Sequence, residues 1–294
     1  MLQALYLNSR PTASFSVAEM VGLSFDVSGV DPEGLDPKRL SSWWRLRHAW
    51  TRNPYGDGGL QSSLQKAAAD TVGEMAAAAS TLNIAGVEFN NVLQGLLKNA
   101  GLLQKLHQTQ VPYLTTFVHG DLHGHNIMVD SNNNAFVIDF GKSSVGSPLE
   151  DLIYLETSFL MHHYEYDDED FVQMVSLVHT LADNLLPAVL TPTAPPPALA
   201  SPRIVAFWEV IRSMRLSLRK QIEKMNIASG NAGTVVDNML AAMLLLRDSL
   251  MHLIWKSNKE RPLARKLGLA FACGYASVVE NLASLYFDDS TTGS

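Results

Sequence analysis

Between Phe117 and Gly141 the chain reads Phe-Val-His-Gly-Asp-Leu-His-Gly-His-Asn, then Ile-Met-Val-Asp, Ser-Asn-Asn-Asn and Ala-Phe-Val-Ile-Asp-Phe-Gly. Three oxygen-bearing side chains, Asp121, Asn126 and Asp139, fall within this short window. Mg²⁺ takes hard oxygen ligands, keeps several waters and is held by one or two side chains plus substrate phosphates, which suits Asn126 and Asp139. A carboxylate at Asp121 would accept, or at least orient, the proton of an attacking hydroxyl. Together the residue types outline a magnesium-phosphate site. His119, His123 and His125 alternate with the carboxylates closely enough to suggest a second chemistry, a zinc or dinuclear hydrolase centre. That reading leaves Asn126 and the strand ending at Asp139 without a purpose. On the first reading His119 is a buried histidine that holds the loop, and His123 and His125 line it.

These side chains need a frame. Ile127–Asp130 and Ala135–Asp139 are rich in Ile, Val and Phe and flank the polar run Ser131–Asn134, so they read as an antiparallel hairpin. Its outer ends place Asn126 beside Asp139. Gly141 is expected to take positive φ and turn the chain away, so that the Asp139 carboxylate projects into a cavity. Asp121 sits on a loop opened by Gly120, after a strand over Leu114–Val118, and faces the same cavity.

His119-Gly120-Asp121, four residues, Asn126 and then Ile138-Asp139-Phe140-Gly141 resembles the catalytic and metal loops of the kinase-like superfamily, in its aminoglycoside phosphotransferase and choline kinase branch. Protein kinases carry Arg where this chain has Gly120. Gly146-Ser147-Pro148-Leu149-Glu150-Asp151-Leu152 is similar to that branch's Gly-x-Pro-x-x-Asp-Leu. The resemblance implies Mg²⁺ and ATP or GTP as cofactors, Asp121 as catalytic base, and Asn126 and Asp139 as the ligands of metal and nucleotide. It makes His119 and Gly141 supports of the loops and gives Asp151 the task of bracing the catalytic loop from the start of a helix. The stretch after Gly141 is short and lacks an Ala-Pro-Glu element, which favours a small-molecule hydroxyl acceptor over a peptide. The same wording also resembles kinase-like domains of large bacterial multidomain signalling proteins. The resemblance covers roughly Leu60–Leu186, and no N-terminal β-lobe with a phosphate-binding lysine is recognisable. A missing N-terminal lobe or partner domain, a C-terminal fragment of a longer protein, and a non-catalytic kinase-like interaction module are the alternatives this opens.

Composition narrows the class. A chain of 294 residues, 47% hydrophobic, makes one large domain or two lobes. A net charge of −7 argues against a nucleic-acid partner and is compatible with Mg²⁺ and a cationic or neutral substrate. The acidic run Asp167–Asp170 reads as a solvated helix start, with attraction of a cationic substrate as the alternative. One cysteine, Cys273, permits no internal disulfide and fits a reducing compartment. No signal-peptide pattern opens the chain, and the apolar run Met239–Leu246 meets Arg247 and Asp248 before it could cross a bilayer. A cytoplasmic protein with no membrane partner is the expectation.

The fold expected is α+β and mostly helical, a kinase-like C-lobe with a small central β-hairpin. Residues 1–59 read as loop-rich, with a Trp-bearing helix near Pro37–Arg52 and a turn at Gly56-Asp57-Gly58-Gly59. Residues 60–186 form the catalytic core, with helices near Leu60–Leu82, Glu88–Gln108, Pro148–Tyr164 and Asp168–Leu186. A Pro-rich linker follows at 187–202. Residues 203–287 carry helices near Ile204–Lys224, Val235–Lys256 and Pro262–Phe287, and 288–294 read as a disordered tail. Arg212, Arg215, Arg219 and Lys220 recur at helical spacing and read as a solvated basic face, and His162-His163 as a helix surface.

Overall fold

Apolar residues at helical spacing in the second half of the chain build most of the molecule. The computed structural model describes residues 10–16, 60–96, 110–147, 149–163, 165–183, 201–229, 234–254 and 261–289, with single positions between 97 and 109. The expected Trp-bearing helix, the glycine turn, the Pro-rich linker through 200, the last five residues and the side chains of His162 and His163 lie outside the described residues.

The helices are α1 (Leu60–Val72), α2 (Glu74–Ala78), α3 (Glu150–Ser158, extended by a π turn over Phe159–His163), α4 (Asp168–Asp183), α5 (Pro202–Ser229), α6 (Thr234–Ile254) and α7 (Pro262–Asp289). Proline at the first position of α5 and α7 supplies a preset φ where no N–H is needed. In α6 every residue from Met239 to Leu246 is buried. A helix apolar on all sides belongs in a core, and α6 packs against α1, α3, α5 and α7. By length and composition Pro262–Phe287 could cross a membrane, but 78% of its apolar window is buried inside this fold. Each buried Leu, Val or Phe in these faces contributes roughly 1.5–3 kcal/mol. Arg265, near the start of α7, donates to Leu253 O (3.3 Å) and to Ala67 O of α1 (3.0 Å), so α7 fastens the first described helix to α6.

Strands form three small antiparallel groups: β1 (Arg10–Ser16), β4 (Gln110–Val118) and β7 (Ser144–Gly146) in the order β1-β4-β7; β2 (Thr81–Ile84) with β3 (Val87–Asn90); and β5 (Ile127–Val129) with β6 (Ala135–Val137). The fold is therefore α+β and mostly helical. β5 and β6 are the hairpin expected from the sequence, in the register Ile127↔Val137, Met128↔Phe136 and Val129↔Ala135.

Several elements differ from the sequence reading. The first helix stops at Val72, because Gly73 has φ 91° and restarts the chain as α2. The helix expected from Glu88 begins instead as β3, paired with β2. Ala85 (φ 51°) and Gly86 (φ 84°) are both left-handed, which is the requirement of a tight two-residue hairpin turn. Asn83 Oδ1 accepts from Gly86 N at 3.1 Å, while Leu82, Ile84 and Phe89 are buried. β1 lies in the segment read as loops. α7 continues to Asp289, so the residue at 288 is helical where a disordered tail was expected.

The expected solvated basic stripe is also divided. Arg215 is 2% exposed and donates to Glu156 Oε2 (2.6 Å) and to the Tyr275 hydroxyl (2.7 Å), both buried. Burial opposes the Arg215 charge, but Glu156 and Tyr275 hold it firmly on, and burial raises the Glu156 carboxyl against the opposing pull of Arg215. Lys220 is exposed, and Arg212 and Arg219 pair with Glu209 and Glu223 on the surface of α5.

Candidate functional site

The loop after β4 is fixed from two sides. Val118 pairs with Ser144 of β7, which brings Lys142 and Ser143 alongside His119 and Gly120. Gly120 has φ 76°, and a Cβ there would fall 2.5 Å from Lys142 O, so neither the conformation nor the space admits a side chain. Behind the loop, Asp151 in the first turn of α3 is 1% exposed. Its carboxylate accepts from His119 N (2.7 Å) and Gly120 N (3.0 Å). Two charge-assisted bonds to adjacent main-chain donors define the loop's path.

His119 is 1% exposed, with Nε2 2.7 Å from Ile138 O and Nδ1 3.3 Å from Asp121 N. A carbonyl needs a donor and an N–H needs an acceptor, so the two contacts together define the Nε2–H tautomer. The ring also leans on Phe140, centroids 4.8 Å apart. His119 thus joins the Asp121 loop to Ile138, the residue between β6 and Asp139.

Asn126 closes a short 3₁₀ turn over Gly124–Asn126 and is 7% exposed. Its Nδ2 donates to Asp121 O at 2.9 Å, which fixes the amide plane, and its main-chain O accepts from Ile138 N at 3.0 Å. The second bond extends the β5–β6 ladder by one step and sets Asn126 next to Asp139, as the hairpin spacing implies.

Asp139 departs from expectation in an instructive way. Asp139 itself is left-handed (φ 59°, ψ 63°), while Gly141, expected to take positive φ, lies in the 3₁₀ turn Phe140–Lys142 without it. Asp is among the few residues that tolerate this region, at a cost of about 1 kcal/mol or more. Gly141 N donates to Asp139 Oδ1 over a long 3.4 Å, and a Cβ at Gly141 would meet the same oxygen at 3.2 Å. Glycine is needed there for room.

Asp121 has two partners the sequence did not indicate. Lys142 Nζ contacts its Oδ2 at 2.5 Å, and the Tyr154 hydroxyl of α3 hydrogen-bonds to it. Burial, and then the Asp121 charge, push the Tyr154 phenol far above its ordinary value, so it remains a donor. Deeper, Glu150 lies 3.6 Å from Arg247, which binds Asp248 Oδ1 at 2.7 Å. Burial pushes Glu150 up to about 7, and burial likewise raises Asp248. The available signal for this cluster was Arg247-Asp248 directly following eight core positions of α6, where charge must be paired. Nothing local marks Lys142 as the partner of a residue 21 positions earlier.

Asn126, with its Nδ2 committed, and Asp139, with one oxygen only weakly engaged, retain oxygens that fit a hard divalent cation. His123 and His125 stand edge-on, ring centroids 5.8 Å apart. Among the described residues no three of His, Cys, Asp and Glu converge as a metal-binding group.

A mostly helical α+β domain with a braced Asp-Asn-Asp loop system is the class so defined. The family described as ternary complex associated domain 9 matches residues 40–244, well over half of the chain, and the protein belongs to that family. No curated protein and no solved structure matches it.

Proposed function

We propose that this chain is a kinase-like C-lobe that transfers the terminal phosphoryl group of ATP or GTP to a hydroxyl of a small molecule. The observation that carries the reading is the Asp151 carboxylate on the main-chain N–H groups of His119 and Gly120, which fixes the turn leading to Asp121, whose own main-chain oxygen accepts from Asn126 Nδ2. In this scheme the acceptor oxygen bonds to the terminal phosphorus, the bond from that phosphorus to its bridging oxygen breaks, and the nucleoside diphosphate leaves with the electron pair. The hydroxyl proton goes to Asp121. Asn126 and Asp139 would hold Mg²⁺, which supplies neutralisation of phosphate charge. Calorimetry of ATP with and without Mg²⁺ tests the reading. Saturable Mg²⁺-dependent binding that Asp139→Ala abolishes is expected, and binding indifferent to that substitution refutes the assignment.

A second reading, an interaction module, is favoured by the apolar residues around the site. Phe117, Met128, Val129, Phe136 and Phe140 are about half exposed or more, with Met128 and Phe136 paired across the hairpin. A missing lobe or partner domain would cover such a face, and the family's description points to association in a ternary complex. The hydrolase reading finds no three-ligand group among the described residues to support it. A cytoplasmic location accompanies both remaining readings.

A further inference from the structure

We propose, resting on the phosphotransfer reading, that Lys142 is the phosphate-binding cation of this site, and that the ammonium now on Asp121 moves to the terminal phosphate when nucleotide binds. Lys142 touches the carboxylate that would receive the acceptor proton, and its side chain is 41% exposed while that of Asp121 is 15% exposed. The ammonium therefore approaches from the open side, where substrate must enter. Its main chain is anchored, since Ser143 N donates to Phe140 O, Lys142 O abuts Gly120 and β7 begins at Ser144. The four-carbon stem alone has freedom to swing.

Distances agree with the exchange. An acceptor hydroxyl lies about 3 Å from the Asp121 oxygen it bonds, and the phosphorus it attacks lies about 3–3.5 Å further on. The transferring group is thus about 6 Å from an oxygen that Lys142 already contacts, within the sweep of a lysine stem. Charge requires such a group. A nucleotide phosphate brings negative charge beside Asp121 and Asp139, and the Arg247 guanidinium behind them is already shared by Glu150 and Asp248. With Lys142 on the phosphate, Asp121 keeps the Tyr154 bond and regains an oxygen for the hydroxyl. One lysine thereby caps the carboxylate at rest and uncovers it on binding.

The test uses the full chain and calorimetry with ATP, ADP and AMP in Mg²⁺. Lys142→Met is expected to weaken ATP by about tenfold or more, to leave AMP unchanged, and to be largely rescued by Lys142→Arg. In the unmodified protein, acetylation of Lys142 by acetic anhydride, read by mass spectrometry, is expected to fall when saturating Mg²⁺-ATP is present and not with AMP. If ATP binding is Mg²⁺-dependent and lost in Asp139→Ala, yet Lys142→Met binds ATP normally or Lys142 is acetylated equally with and without Mg²⁺-ATP, the proposal falls and the phosphotransfer reading stands. If the unmodified protein binds none of the nucleotides, both fall.

Discussion

Replacing Asp151 by Ala removes the acceptor of two adjacent main-chain donors at once, one buried and one half-buried. His119 N and Gly120 N lie 2.7 and 3.0 Å from its two oxygens, and Asp151 is 1% exposed, so water cannot take over without the loop moving. Leaving a buried donor unpaired costs about 1–3 kcal/mol, more when the lost acceptor is charged, so the pair is worth about 3–5 kcal/mol. That is a large share of the roughly 5–15 kcal/mol by which a domain is stable. Asp151→Asn keeps one acceptor oxygen and turns an NH₂ toward the other donor, which predicts a loss of about half. Urea unfolding reads the difference as a shift in midpoint at constant slope. Hydrogen exchange adds a local readout, in which the His119 and Gly120 amides lose protection in the Ala variant. A stability loss of less than about 1 kcal/mol, with both amides protected as before, refutes the bracing role.

Two further outcomes are expected. Arg215→Met strands the buried Glu156 carboxylate and should cost about 3–5 kcal/mol in thermal or urea unfolding, while Arg215→Met with Glu156→Leu recovers most of it; a double variant no more stable than the single refutes the pairing argument. Glu150 holds its proton up to about pH 7 when folded but has an ordinary value of 4.5, so between these the folded state binds more protons than the unfolded chain. Stability from this group is therefore fullest below pH 4.5 and falls as pH rises through 7, by about 3 kcal/mol in all. The difference between wild type and Glu150→Gln should widen across that window in urea titrations, and a pH-independent difference contradicts the assignment.

The β5–β6 hairpin and helices α3 to α7 were legible because their signals are local: alternation around a polar turn, helical apolar spacing, Pro at a helix start. The β2–β3 hairpin was hidden because Thr81–Asn90 lies between an Ala-rich run and a leucine-rich one, and only Ala85-Gly86 carries the turn. Asn126 and Asp139 could be set side by side from the hairpin and Asp121 near Asn126 from its spacing, whereas the hydrogen bonds of Asp151 to His119 N and Gly120 N cross more than 30 residues and have no local signal. The left-handed turn was assigned to Gly141 and sits on Asp139, because the need for such a turn shows in a sequence more readily than which residue makes it. Arg215 looked solvated because periodicity defines a face without naming what covers it. Its partners come from 59 and 60 residues away.

Arg265 fixes an order of events during synthesis. Its bond to Ala67 spans 198 residues, and α7 packs on α1, so α1 lacks these neighbours until α7 has been made. Leu64 and Ala68 are fully buried in the finished protein, and apolar surface of this kind left uncovered during folding favours aggregation. An expression boundary drawn at residue 244, where the family match ends, would make the lack permanent. It would cut α6 in mid-helix and delete α7, so a folded preparation must extend through Asp289.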